Sequence, residues 1–140
     1  MKKLVLFIII SFLLFLIFVS PYLIDDFSCY TFKNKIENSI SEANNISLID
    51  IDYKCGNATG TGNHTDMYVC ALIRTPIDEE QLELIFGDAI NIVKADHGVL
   101  PTNTMLLLGI EFDEVIYYDD YYILEFVESA PCSEFDIRGH

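Results

Sequence analysis

The chain opens with an unpatterned block of hydrophobic residues and then changes to spaced ones. Residues 4–24 are apolar almost throughout, interrupted only by Ser11, Ser20 and Pro21. As a helix rising about 1.5 Å per residue, this block spans roughly 30 Å, the thickness of a bilayer core. From Thr31 the spacing becomes helical: Phe32, Ile36, Ile40 and Ala43 share one face over 31–44, with Thr31 or Ser28 as the cap. Alternation follows over 46–55, with Ile49, Ile51, Tyr53 and Cys55 on one side and Leu48, Asp50, Asp52 and Lys54 on the other. That is the pattern of a half-buried strand.

Residues 57–66 are rich in Gly, Asn and Thr and read as a loop, and 67–74 read as a second strand. A second helix is predicted after Thr75-Pro76-Ile77-Asp78, with Leu82, Ile85, Phe86, Ala89, Ile90 and Val93 as its core stripe and Gly98 as its stop. The last third reads as strands over 105–112, 115–118 and 121–127, the final two joined by a turn at Asp119-Asp120. The expected fold is α+β: two helices on one face of an antiparallel sheet of four or five strands, in the order αββ-αββ(β). Residues 1–24 form the membrane or signal segment ahead of an extracytoplasmic domain at 25–140.

The leader admits two readings. Lys2 and Lys3 suit the start of a secretory signal and also a cytoplasmic N-terminus. A cleavage site is poor: cutting after Ser20 leaves Phe18 three residues before the cut and Pro21 just after it, and cutting after Ser28 leaves Asp26 three residues before it. Asp26-Phe27-Ser28 lacks the aliphatic residue of a lipoprotein signal ahead of Cys29. The favoured reading is a single-pass anchor through residues 4–24, and the alternative is a secreted chain.

Charge sharpens this picture. All 22 acidic residues follow Ile24, against six of the eight basic ones, so the part from Asp25 onward carries a formal charge of −16. No basic residue lies between Lys94 and Arg138. Such a domain is repelled by phosphate backbones, which argues against nucleic acid and leaves a protein partner, cationic in the sharper reading.

Four cysteines, Cys29, Cys55, Cys70 and Cys132, suit two disulfides in an exported domain. The strand pattern favours Cys55–Cys70 as a hairpin staple and Cys29–Cys132 as a tie between the ends of the domain. Their wide spacing, with no Cys-x-x-Cys pair, argues against a metal site, and no cofactor motif is present.

His64 and Asp66 with Asp50 and Asp52 form a candidate metal cluster, more simply read as a polar loop beside a solvated strand face. Asp96-His97-Gly98 reads as a helix end, and His140 is terminal. Asn45, Asn57 and Asn63 begin glycosylation-type triplets. Pairs such as Glu125 with Glu128 are too common in an acidic chain to mark a catalytic acid and base. The expected interface is the tyrosine-rich hairpin, with Ile116, Tyr118, Tyr121 and Ile123 on its open face. No catalytic motif stands out. The sequence therefore favours a membrane-anchored interaction module, an accessory of an envelope assembly, over a small enzyme or inhibitor released by signal cleavage.

Overall fold

A computed structural model describes residues 2–57, 64–95, 102–112, 120–136 and 138. Its first element, α1 (Lys2–Glu42), is one helix of 41 residues, roughly 60 Å long. The apolar block and the expected helix over 31–44 are two halves of it. Thr31 and Ser28 are therefore interior residues rather than caps, and the Thr31 hydroxyl donates to the Phe27 carbonyl at 2.9 Å.

Pro21 lies inside α1 and the helix runs straight through it. A proline at this position cannot donate to the Ile17 carbonyl four residues back. The Ser20 hydroxyl donates to that carbonyl instead, at 3.2 Å, which limits the cost of the break.

Among the described residues the sheet has four antiparallel strands in the order β1 (Ser47–Gly56), β2 (Asp66–Arg74), β4 (Tyr121–Ser129), β3 (Asn91–Ala95). The turn from α1 into β1 passes through Asn45 at φ 65°, a left-handed conformation that Asn tolerates. A bulge between Leu48 and Asp50 then inverts the expected facing: Leu48 packs inward and Ile49 is exposed. Asp50 and Asp52 each accept the backbone N–H of the following residue at 2.8 Å. Their carboxylates thus occupy donors that an edge strand leaves free, and they discourage pairing with another sheet.

One face of the sheet is covered by two helices, as the periodicity predicts. Cys29, Phe32, Ile36 and Ile40 of α1 and Leu82 of α2 (Glu79–Ile85), with Phe86 at its end, pack on Met67, Val69, Ala71, Ile73, Tyr122, Leu124 and Phe126. Burial of this layer is the main force holding α1 to the domain. The opposite face carries Tyr68, Cys70, Leu72, Tyr121 and Ile123, beneath Met105 of α3 (Asn103–Leu108) and Ile110.

The second half of the chain departs from the expected order. The second helix stops after Ile85, and 91–95 form a strand, because Ile92 and Val93 are β-branched and pair with Leu124 and Ile123 of β4. Its cap is Asp78, whose carboxylate accepts the Gln81 N–H at 2.9 Å; the buried Thr75 hydroxyl donates to the Asn45 carbonyl at 2.8 Å instead. The expected strand over 105–112 begins as α3, capped by Thr102 and ended by Gly109 at φ 65°. The predicted strand at 115–118 and its turn at Asp119 lie outside the described residues. β4 itself is central, between β2 and β3.

Candidate functional site

Where α1 leaves its apolar half, Asp25 and Asp26 meet the end of the chain, brought there by turns at 131–135. Asp25 is fully buried, and its Oδ1 accepts the Cys132 N–H at 2.8 Å. Asp136, also fully buried, accepts from Arg138 Nε at 3.0 and 2.9 Å through its two oxygens, and from the Arg138 backbone N–H at 3.0 Å. The same guanidinium donates to Asp26 Oδ1 and to the Tyr22 carbonyl at 3.5 Å, and lies 5.1 Å from the Tyr22 ring centroid. One cation thus ties the last aromatic of the apolar block to two carboxylates of the domain, Asp26 and Asp136.

The electrostatics divide these carboxyls. Burial pushes Asp25 above its ordinary range, and the neighbouring Asp136 carboxyl adds to the shift. Burial also opposes ionisation of Asp136, but the hydrogen bonds and charge of Arg138 outweigh it and hold this group below the usual carboxylate range. Burial and the Asp136 charge thus favour the protonated form of Asp25, whose buried Oδ2 makes no hydrogen bond among the described residues, while Arg138 favours the ionised form of Asp136. The stabilisation from Asp25 is complete below its ordinary value of about 3.9 and is lost as pH rises through its raised folded value. Asp25→Asn keeps the oxygen that accepts the Cys132 N–H and removes the titration. Urea unfolding near ~pH 7 is expected to show the variant as stable as the wild type or about 1 kcal/mol more so, and a loss of stability would contradict the raised assignment.

The thiols gather at the same place. Cys29 is buried on α1 one turn after Asp25, and its Sγ donates to the Lys54 carbonyl at 3.4 Å. Cys55, the next residue on β1, packs into the same cluster. Cys132 is tied to Asp25 through its backbone. All four cysteines are free thiols in the structure. The expected Cys55–Cys70 staple is a correction: Cys55 pairs with Met67 and Cys70 with Asp52, and the two side chains sit on opposite faces of the sheet. Three strand positions amount to roughly 10 Å, beyond the ~7 Å between Cα atoms that a disulfide spans. The tie expected between Cys29 and Cys132 is present as hydrogen bonds between the start and end of the domain rather than as a bond between sulfurs.

A second polar group lies under the opposite face. Glu125, 2% exposed, accepts from Asn91 Nδ2 at 3.0 Å and from the Thr102 hydroxyl. Tyr68 faces it, and burial followed by the Glu125 hydrogen bond pushes the phenol well above its ordinary value. Burial raises Cys70 as well, with the Glu125 charge adding to it. Glu125 and Tyr68 are buried, Thr102 is half-buried and Asn91 exposed, so Asn91 and Thr102 supply the buried Glu125 carboxylate with donors from the rim of this layer.

The other expected residues are dispersed. Tyr121 and Ile123 are 8% and 3% exposed and pack into the second cluster, so they do not form the open tyrosine face expected of them; Ile116 and Tyr118 lie outside the described residues. His64 pairs with Asp66 at 3.3 Å, while Asp50 and Asp52 bind their own backbone. Among the described residues no group of three or more His, Cys, Asp or Glu is arranged around a common metal position. Asn45 is exposed, and Asn63, Asp96, His97 and His140 lie outside the described residues. Sequence reasoning missed the cluster around Arg138, although a lone cation closing a long acidic stretch was a usable signal. Comparison of the chain with family models, with curated proteins and with solved structures finds no match.

Proposed function

We propose that the protein is a membrane-anchored interaction module whose acidic domain is held outside the cytoplasm to bind a cationic protein partner. The observation that carries this reading is the single helix α1. Its apolar half averages a hydropathy of 3.0 over an 18-residue window with none of that window buried, and it continues without a linker into the half that packs on the sheet. An apolar surface of that length requires a bilayer or an equivalent cover. Tyr22 and the Arg138 cluster fall at its outer end, where an aromatic belt and the first charges belong.

The partner surface assigned here lies on and after α2. Leu84, Ile85 and Ile90 are 86%, 47% and 59% exposed, beside Glu79, Glu80 and Glu83. Carboxylates around an apolar strip suit a basic partner that also buries hydrophobic side chains.

Extracted from native membranes in mild detergent, the full-length chain is expected to run in a complex larger than its own micelle. Leu84→Asp should release it to the uncomplexed size without lowering its unfolding midpoint. An intact mass beginning after Ile24 would overturn the anchored reading, and an unchanged complex in Leu84→Asp would overturn the assigned surface.

A further inference from the structure

We infer that Cys29 and Cys55 are a disulfide-forming pair that locks α1 to the edge strand β1 just beyond the apolar segment. The geometry is direct. Cys29 projects from α1 onto the sheet, and its sulfur touches the carbonyl of Lys54, the residue that precedes Cys55. Both cysteines belong to one apolar cluster, close enough for Cys55 to perturb the Cys29 thiol. Cys70 is excluded by its face, and Cys132 approaches this corner through its backbone N–H.

The surroundings suit thiol exchange. Arg138 lies close enough to favour the thiolate of either cysteine, opposed by the charges of Asp25 and Asp26. The neighbouring Cys55 thiol lowers Cys29 below the ordinary thiol range, and Cys29 in turn raises Cys55. Cys29 is fully buried, whereas Cys55 lines an open cleft of about 440 Å³ with Asp26, Asp52, Tyr53, Lys54 and Arg138. The co-reactant enters from that cleft.

The required oxidant is itself a disulfide, of a small molecule or of a partner protein. Cys55 is the cysteine that lines the cleft, so it attacks first: its proton passes to the Cys29 thiolate, its sulfur attacks one oxidant sulfur, and a mixed disulfide forms as the other oxidant sulfur leaves as thiolate. Cys29 then loses its proton and attacks the Cys55 sulfur, expelling the second oxidant sulfur. Two electrons and the two protons of the pair pass to the oxidant, which becomes two thiols. Whether the bond forms in the cell rests on the exported placement proposed above, while its formation by a disulfide oxidant does not.

The test treats the full-length chain, reduced and held in detergent, with glutathione disulfide, and then alkylates the remaining thiols. Digestion with trypsin and Asp-N separates all four cysteines for mass spectrometry. The expected result is a Cys29–Cys55 linked peptide, with alkylated Cys70 and Cys132, and a higher urea midpoint for the oxidised form. Cys29→Ser and Cys55→Ser should each abolish the link, and Cys132→Ser should retain it. A Cys29–Cys132 link, or alkylation of both Cys29 and Cys55 in the wild type, would overturn the pairing. The same map on protein alkylated in the native host separates the two readings. A link that forms in glutathione disulfide but is missing from the native chain supports the pair and counts against the exported placement.

Discussion

Ile40→Ala is expected to destabilise the domain by about 3–4 kcal/mol, the cost of a buried isoleucine whose cavity does not collapse. Ile40 is fully buried in the final turns of α1, in the layer that joins the helix to Val69, Ala71 and Leu124. Domains of this size hold on the order of 5–15 kcal/mol, so the loss is a large fraction of the total. Urea unfolding of the full-length chain in detergent measures it, and Ser39→Ala on the exposed side of the same turn supplies the control. Hydrogen exchange should accelerate most over 29–42, because the helix loses its anchor before the sheet loses its own pairing. A loss below about 1 kcal/mol would mean that α1 is not docked on the sheet in solution.

Arg138→Met should have an effect of similar size, about 3 kcal/mol, by a different route. The methionine keeps much of the aliphatic stem but leaves Asp136, fully buried, without its cation, and frees Asp26 and the Tyr22 carbonyl. The pH dependence provides the diagnosis. The depressed Asp136 contributes stability that is present above the ordinary carboxyl value and lost as pH falls through its folded value. Without Arg138 the cause of that depression is gone, so the acid limb of the stability profile should flatten while the loss at neutral pH is largest. Unfolding midpoints of variant and wild type from about pH 3 to pH 8 decide the matter; a parallel downward displacement at every pH would contradict the assigned pairing.

The class of fold was readable because the strongest periodicities belong to the elements that hold it together. Phe32, Ile36 and Ile40 face the sheet as their spacing requires, and β1 and β2 pair as the alternation implies. The stripe through Leu82, Phe86, Ala89 and Val93 was less decisive, since a short apolar run fits helix and strand alike. What decides it is β4, whose backbone needs partners on both edges and takes 91–95 as one of them. Thr102 and Gly109 are a usable cap and stop for α3, but the apolar residues between them carry an equally good strand pattern. Of the acids around Arg138 only Asp136 is its neighbour in sequence; Asp25 and Asp26 stand more than a hundred residues away, so no local pattern brings them together. The cysteine pairing failed for a related reason: the register places Cys55 opposite Met67 and Cys70 opposite Asp52, an odd offset of three that puts the two thiols on opposite faces, and the length of the connecting loop does not fix that register.

The unbroken path of α1 from the apolar block into the sheet gives the domain a compass bearing. Each residue of an α-helix advances about 1.5 Å and turns about 100°. One residue added between Ile24 and Asp25 would therefore swing Leu84 and its flanking glutamates more than a quarter of the way around the axis of the apolar half. Seven added residues, nearly two full turns, would restore the heading but raise the domain by roughly 10 Å. The number of residues in this helix thus sets the azimuth and the height of the acidic face relative to the apolar half, a property that a flexible tether cannot encode.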